Sequence, residues 1–433
     1  MLTAQHLFAR LRPHSGRAAW AVADQGINPL VQLVTTPVLL SLMGRDDFGL
    51  WMLASTLIGM SQLVSLAAAV AVTKHVSADL GAHQSNQAIQ AIRGGLTAAL
   101  IGGAAAVALC SIFAGPVAVI FFHNMGPAAV VAPVLALCGL AAFVQEIDNV
   151  FAGALRGAQR FDLCAQVEVP ARISMGIVLV AAVSLQVGLH ALLLSLIGMM
   201  AVKAVIKGLR VAALFGALST CLPTLRRESL LRVVRFGSWQ WLQSGGTVFF
   251  NAADQLLVGG LLGAGALARY SVCLQIGQYV HLVPTVMMQI IFPRLSALGR
   301  QIDPERGNEI LRSATLIAFG TAVLLGGPLM LLSRPLLTVW IGADFAAANQ
   351  WLLITLVAVH VALAFNVAPY FVLLGSGRPA RSAVIVLTAG AAQFGLAFLV
   401  APFGILCVAC TRFVYSALTA FLYPAASYDR LGR

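Results

Sequence analysis

The residues with chemistry to offer are the few ionisable groups that fall inside long apolar stretches, where a charge is expensive to keep and usually marks function. Arg412 is the sharpest case, about nine residues into the stretch that begins at Phe403 and so roughly 13 Å deep at the helical rise. A guanidinium at that depth can hold a phosphate or pyrophosphate, whose oxygens match its planar fork. It can equally form a structural ion pair with a carboxylate such as Asp254, and the sequence leaves both open. Asp254, within Phe250-Asn251-Ala252-Ala253-Asp254-Gln255, and Asp24, within Asp24-Gln25-Gly26-Ile27-Asn28-Pro29, are the candidate ion-coupling carboxylates. Each could exchange H+ or take Na+ from a low-dielectric site. The structural alternatives are an interhelix hydrogen bond for Asp254 and an N-cap or a contact with Arg17 for Asp24.

Other polar groups have plainer explanations. Glu146 and Asp148 stand near Arg156 and Arg160, so local ion pairing is expected there. His281 and His360 fall near mid-helix, where a proton relay is conceivable but a hydrogen-bonded core histidine is commoner. The seven cysteines are scattered through apolar surroundings, and Cys407-x-x-Cys410 has no partner pair, so they read as small packing residues with no metal array. Gly375-Ser376-Gly377-Arg378-Pro379 lacks the Lys-Ser/Thr ending of a phosphate-binding loop. No cofactor, metal or ATP coupling is expected; an H+ or Na+ gradient is the remaining energy source.

The elements that must position these groups are membrane helices. With 60% hydrophobic residues, 10% charged residues and a mean hydropathy of +0.90, the chain is far more apolar than a soluble domain. Runs this long in lipid must satisfy their own backbone hydrogen bonds, so they are helices. The organising stretch is Trp20–Val72, two apolar runs meeting at the polar turn Gly44-Arg45-Asp46-Asp47-Phe48-Gly49, with Pro29 and Pro37 weakening the first. Further spans are expected near 96–122, 128–152, 167–187, 189–214, 236–262, 266–292, 310–332, 346–374, 380–401 and 403–424, which makes twelve in all. Every loop is short, which leaves no room for a catalytic globular domain, and the chain is not expected to be an enzyme.

A shift of 219 positions lays Leu42-Met43-Gly44 on Leu261-Leu262-Gly263 and Trp51 on Tyr270, a weak internal repeat that implies two similar halves. The expected organisation is an N-terminal six-helix bundle over 1–214, a basic linker over 215–235 holding Arg226, Arg227, Arg232 and Arg235, and a C-terminal six-helix bundle over 236–433. The linker would anchor the inside face or grip anionic headgroups. With the N-terminus cytoplasmic, 23 of the 27 Lys and Arg fall in inside loops and tails, Lys203, Lys207 and Arg172 among them, against three outside, with Arg412 within a helix. The net charge of +12 therefore reads as membrane orientation and not as nucleic-acid binding. Trp51, Tyr270, Trp340 and Trp351 are placed in an outer aromatic belt, and both termini are placed in the cytoplasm.

The order Asp24-Gln25-Gly26-Ile27-Asn28-Pro29, then Leu42-Met43-Gly44-Arg45-Asp46-Asp47-Phe48-Gly49-Leu50-Trp51, resembles the opening of the polysaccharide-type (Wzx-type) flippases of the multidrug/oligosaccharidyl-lipid/polysaccharide exporter (MOP) superfamily. Ala154-Leu155-Arg156-Gly157-Ala158-Gln159-Arg160-Phe161-Asp162 and Asp254-Gln255-Leu256-Leu257-Val258-Gly259-Gly260-Leu261-Leu262-Gly263 agree with it. The resemblance implies an all-α, V-shaped MATE-like transporter of the bacterial cytoplasmic membrane, with a cationic cavity between its bundles. The implied cargo is an undecaprenyl-pyrophosphate-linked oligosaccharide for O-antigen, capsule or exopolysaccharide assembly, with a polymerase and assembly proteins as partners. On that footing Lys74 and Arg294 would meet the pyrophosphate at the inner mouth, and Arg412 would receive it deeper. A multidrug antiporter of the same superfamily and a membrane glycan polymerase or ligase are the alternatives.

Overall fold

The structure is a computed structural model and describes residues 15–224, 226–298, 304–375 and 379–427. Among them there is no strand, as a chain that must saturate its backbone within lipid requires. The helices are α1 (Ser15–Gly81), α2 (Ser85–Phe121), α3 (Ala128–Gly157), α4 (Phe161–Ser184), α5 (Leu189–Phe215), α6 (Arg227–Leu262), α7 (Ala264–Leu298), α8 (Pro304–Leu331), α9 (Ser333–Trp340), α10 (Ala343–Ala364), α11 (Val367–Gly375), α12 (Pro379–Val400), α13 (Ile405–Thr419) and α14 (Leu422–Ala426). Nine stretches among the described residues are long and apolar enough to cross a membrane by themselves. With α1 counted as two helices across its kink, α6 and α7 added, and α11 and α14 taken as continuations, the layout is that of about twelve spans in a multi-pass membrane protein.

α1 breaks at Gly44, whose φ of 81° is a left-handed conformation open to glycine at no steric cost. The residue aligned with it by the internal repeat, Gly263, has φ 85° and separates α6 from α7. The two halves thus begin with the same device, a long hairpin bent at a left-handed glycine. Pro29 and Pro37 lie inside α1 before the bend.

The chain divides into two compact units. The first is Met1–Asp47, Ala54–Ile120 and Pro127–Gly245, and the second is Phe48–Leu53, Phe121–Gly126 and Gly246–Arg433. In the first unit, Val72, Val76, Ile92, Leu96, Val150, Phe151, Leu155 and Val211 form the core. Helices approach closely there because small residues face one another: a Cβ on Gly153 would sit 2.6 Å from the carbonyl oxygen of Ala69. Thr73 Oγ1 crosses the same interface to donate to the Gly153 carbonyl at 3.0 Å. In the second unit α10 packs on α7, α8 and α13.

The basic linker differs from expectation, because α6 already begins at Arg227 and Arg227, Arg232 and Arg235 lie on its first turns. The segment before it is docked on α2. Arg93 donates to the carbonyls of Leu222 (3.1 Å) and Pro223 (3.3 Å), and Thr97 and Thr224 exchange hydrogen bonds of 2.8 and 2.9 Å.

Candidate functional site

In the second unit the hairpin about Gly263 brings Asp254 on α6 opposite Tyr270 on α7, nine residues before the turn and seven after it. The Tyr270 hydroxyl donates to Asp254 Oδ2. Arg412 on α13 donates from Nε to the same Oδ2 at 2.5 Å and reaches the Tyr270 oxygen at 3.3 Å. The other carboxylate oxygen, Oδ1, accepts the backbone N–H of Gln255 at 2.9 Å. All three side chains are buried: Asp254 is 1% exposed, Tyr270 0% and Arg412 6%. This is a charge-assisted pair tying three helices together, and it takes the ion-pair alternative that the sequence left open for Arg412.

A second polar layer lies beside it. His360 on α10 donates from Nδ1 to the Leu356 carbonyl at 2.7 Å, and its ring meets that of His281 on α7 edge-on at 6.3 Å. Asn366 donates to the Ser416 carbonyl (3.0 Å) and to Thr419 Oγ1 (2.7 Å), pinning α13 to the α10–α11 turn.

The first unit holds a separate ionic cluster that the sequence reading placed wrongly. Lys203 and Lys207, counted among inside loop residues, lie within α5 and are buried, one turn apart on one face. Lys207 donates to Asp148 Oδ2 on α3 at 2.8 Å and to Glu168 Oε1 on α4. Lys203 pairs with the same Asp148 oxygen at 3.0 Å and with Glu168 Oε2 at 3.5 Å. Arg172, also counted as a loop cation, completes the cluster with Nε 3.6 Å from Glu168 Oε2. Each lysine can lie within the span because a carboxylate compensates it there.

The expected pairing of Glu146 and Asp148 with Arg156 and Arg160 is therefore not made. Asp148 turns to α5, while Arg160 holds Asp162 at 3.1 Å through both Nε and Nη2, a bond that raises the pKa of Arg160 above its ordinary value. Tyr270 and Trp51 are buried and so do not form the outer aromatic belt in which they were placed, whereas Trp351 is 66% exposed. Lys74 is exposed on the second half of α1. Asp24 and Arg294 lie on α1 and α7, but their side chains fall outside the described residues. Among the described residues no group of three or more His, Cys, Asp or Glu side chains could hold a metal ion.

Residues 38–350 match the family described as polysaccharide biosynthesis protein. The chain belongs to that family. The resemblance to the polysaccharide-type branch of the MOP superfamily is borne out at this level. Solved structures similar to this family member are MATE transporters. One is the inward-facing conformation of a multidrug resistance MATE family transporter of the MOP superfamily, with TM-score 0.77, 15% identity, and 95% of this chain and 98% of the other covered. Another is the eukaryotic MATE transporter AtDTX14, with TM-score 0.64, 16% identity, and 96% and 95% covered. At these identities the likeness is one of fold. No curated protein sequence matches significantly.

Proposed function

We propose that this polysaccharide-biosynthesis family member is a flippase that carries an undecaprenyl-pyrophosphate-linked oligosaccharide across the bacterial cytoplasmic membrane by alternating access, with both termini in the cytoplasm. The observation that carries the reading is the family match over residues 38–350 on a helical transporter fold. The physical need is clear: dragging a pyrophosphate and several sugars through hydrocarbon unaided would desolvate many polar groups at several kcal/mol each. Basic side chains along a wet path remove most of that barrier.

Lys74 and Arg294 are assigned to the first contact with the pyrophosphate and Arg412 to a deeper one. Because Asp254 holds Arg412, the pyrophosphate must compete with a carboxylate for the guanidinium. Its arrival frees Asp254, which together with Asp24 is assigned to the coupling ion. An ion-coupled multidrug or small-molecule antiporter is the second reading, favoured by the MATE transporters that share the fold.

Deletion of the gene, with rescue by this chain, tests the proposal. Accumulation of a lipid-linked repeat unit in the inner leaflet, relieved on rescue, is the expected result. Loss of polymer without that accumulation refutes the flippase and points to a polymerase or ligase. Unchanged polymer with altered drug sensitivity selects the antiporter.

A further inference from the structure

Glu146 differs from Asp148, Glu168 and Asp254. It lies on α3, 4% exposed, with about 17 Å of helix between it and Gly157 at the end of the element. Asp148, Glu168 and Asp254 are each held by a cation. Among the described residues no hydrogen bond or ion pair reaches Glu146.

Of the titratable groups on the elements packed on α3, those of α1 are Lys74, His75 and Asp79, on the turns that meet Gly153 and Gly157, and Arg93 of α2 donates to the Leu222 and Pro223 carbonyls; the α1 side chains at 61–67 fall outside the described residues. On α5 they are Lys203 and Lys207, bound to Asp148 and Glu168, and on α4 Glu168 and Arg172, bound to each other and to the lysines. On α2 the thiol of Cys110 abuts Gly139, two turns from Glu146 along α3. Asp148, two residues further along α3, is turned to α5. A carboxylate with no cation or hydrogen-bond donor beside it, in a largely buried position, is costlier to hold ionised than neutral. A hard metal cation would need about six oxygen ligands, whereas a proton needs one.

We infer that Glu146 is a proton-binding site of the first unit, and that the transporter proposed above takes up and releases H+, not Na+, there. The step is a simple exchange: a hydronium ion gives a proton to a carboxylate oxygen and becomes water when the site is open to one side, and the same O–H bond breaks as its proton passes to water on the other, giving hydronium there. Unlike Asp254, Glu146 needs no ion pair to open before it can accept the proton. The function of this site rests on the transport reading, but its protonation does not.

The two are separated by two measurements on the purified full chain in lipid vesicles. Infrared difference spectra between acidic and alkaline buffer read protonation directly. The wild type is expected to lose a buried carboxylic-acid carbonyl band on alkalinisation, Glu146→Gln to lack that band, and Glu146→Asp to keep it. Flipping of undecaprenyl pyrophosphate, used as the probe, is expected to be stimulated by an imposed pH gradient in the wild type. Glu146→Gln, which mimics the neutral acid and preserves packing, is expected to lose that stimulation. A band that persists in Glu146→Gln, or a wild type with no such band, overturns the site. Stimulation by a Na+ gradient alone overturns the choice of ion. A band that belongs to Glu146 in a protein that moves no probe supports the proton site and counts against the flippase.

Discussion

Neutralising Asp254 alone should unfold the second unit more readily than neutralising Asp254 and Arg412 together. At the 2.5 Å separation of Arg412 Nε and Asp254 Oδ2, an effective dielectric of about 20 gives roughly 7 kcal/mol of attraction, which offsets the cost of desolvating both ions. Asp254→Asn removes the attraction but leaves a guanidinium buried at 6% exposure, and Arg412→Gln leaves a carboxylate buried at 1%. Each single change is therefore expected to cost about 3–5 kcal/mol, the usual penalty for orphaning one member of a buried pair. The double change removes both charges and keeps both side chains polar and near their original volume, so it is expected to be more stable than either single. Thermal unfolding of the purified protein in detergent, followed for all four members of the cycle, reads the effect. Transport in the rescue assay should fail in Arg412→Gln and in the double variant if Arg412 receives the pyrophosphate, and in Asp254→Asn if Asp254 carries the coupling ion. Additive single effects, or singles that unfold like the wild type, would refute the account of this pair.

Other expectations follow from named contacts. Lys207→Met should lower thermal stability by about 1.5–3 kcal/mol, because Asp148 and Glu168 lose their fully buried partner but keep Lys203. Asn124→Ala, measured the same way, removes the donor that meets the Gly260 and Leu261 carbonyls at the end of α6 (3.1 Å each) and should cost about 1–3 kcal/mol. Gly263→Ala should be worse than Gly44→Ala. Both force a side chain into a left-handed conformation at about 1–2 kcal/mol, but only at Gly263 would the new Cβ also collide, 2.7 Å from the Asn124 carbonyl oxygen. Thr97→Val should loosen the segment before α6, seen as faster amide hydrogen exchange at Thr224, whose N–H donates to Thr97 Oγ1.

The long apolar runs made the spans legible, since only helices satisfy a backbone in lipid, and the repeat pointed correctly to paired bends at Gly44 and Gly263. Ends of helices were less visible: the charged turns of α6 from Arg227 onward look like loop when judged by hydropathy. Arg412 and Asp254 were singled out by their cost and their pairing was one of two readings left open, because nothing in the chain fixes which residues of α13 and α6 meet. Tyr270 was missed because a tyrosine near a span end resembles an interface anchor. Its distance from the hairpin glycine, nearly equal to that of Asp254, was the available signal. Lys203 and Lys207 were read as surface charge because counting Lys and Arg by loop ignores spacing. Their separation of four residues puts both on one helical face, and the acids that compensate them come from other helices.

The matching glycine bends have an evolutionary consequence. If one ancestral hairpin was copied and its two descendants then drifted apart, the backbone geometry at the bend outlasted the side chains beside it: an indole at Trp51 and a phenol at Tyr270 now occupy corresponding places. The duplicate whose aromatic ring carried a hydroxyl gained a partner for Asp254, while its sibling kept only bulk. Divergence of the two copies could thus confine ionic chemistry of this kind to one of them without altering the shape either inherited.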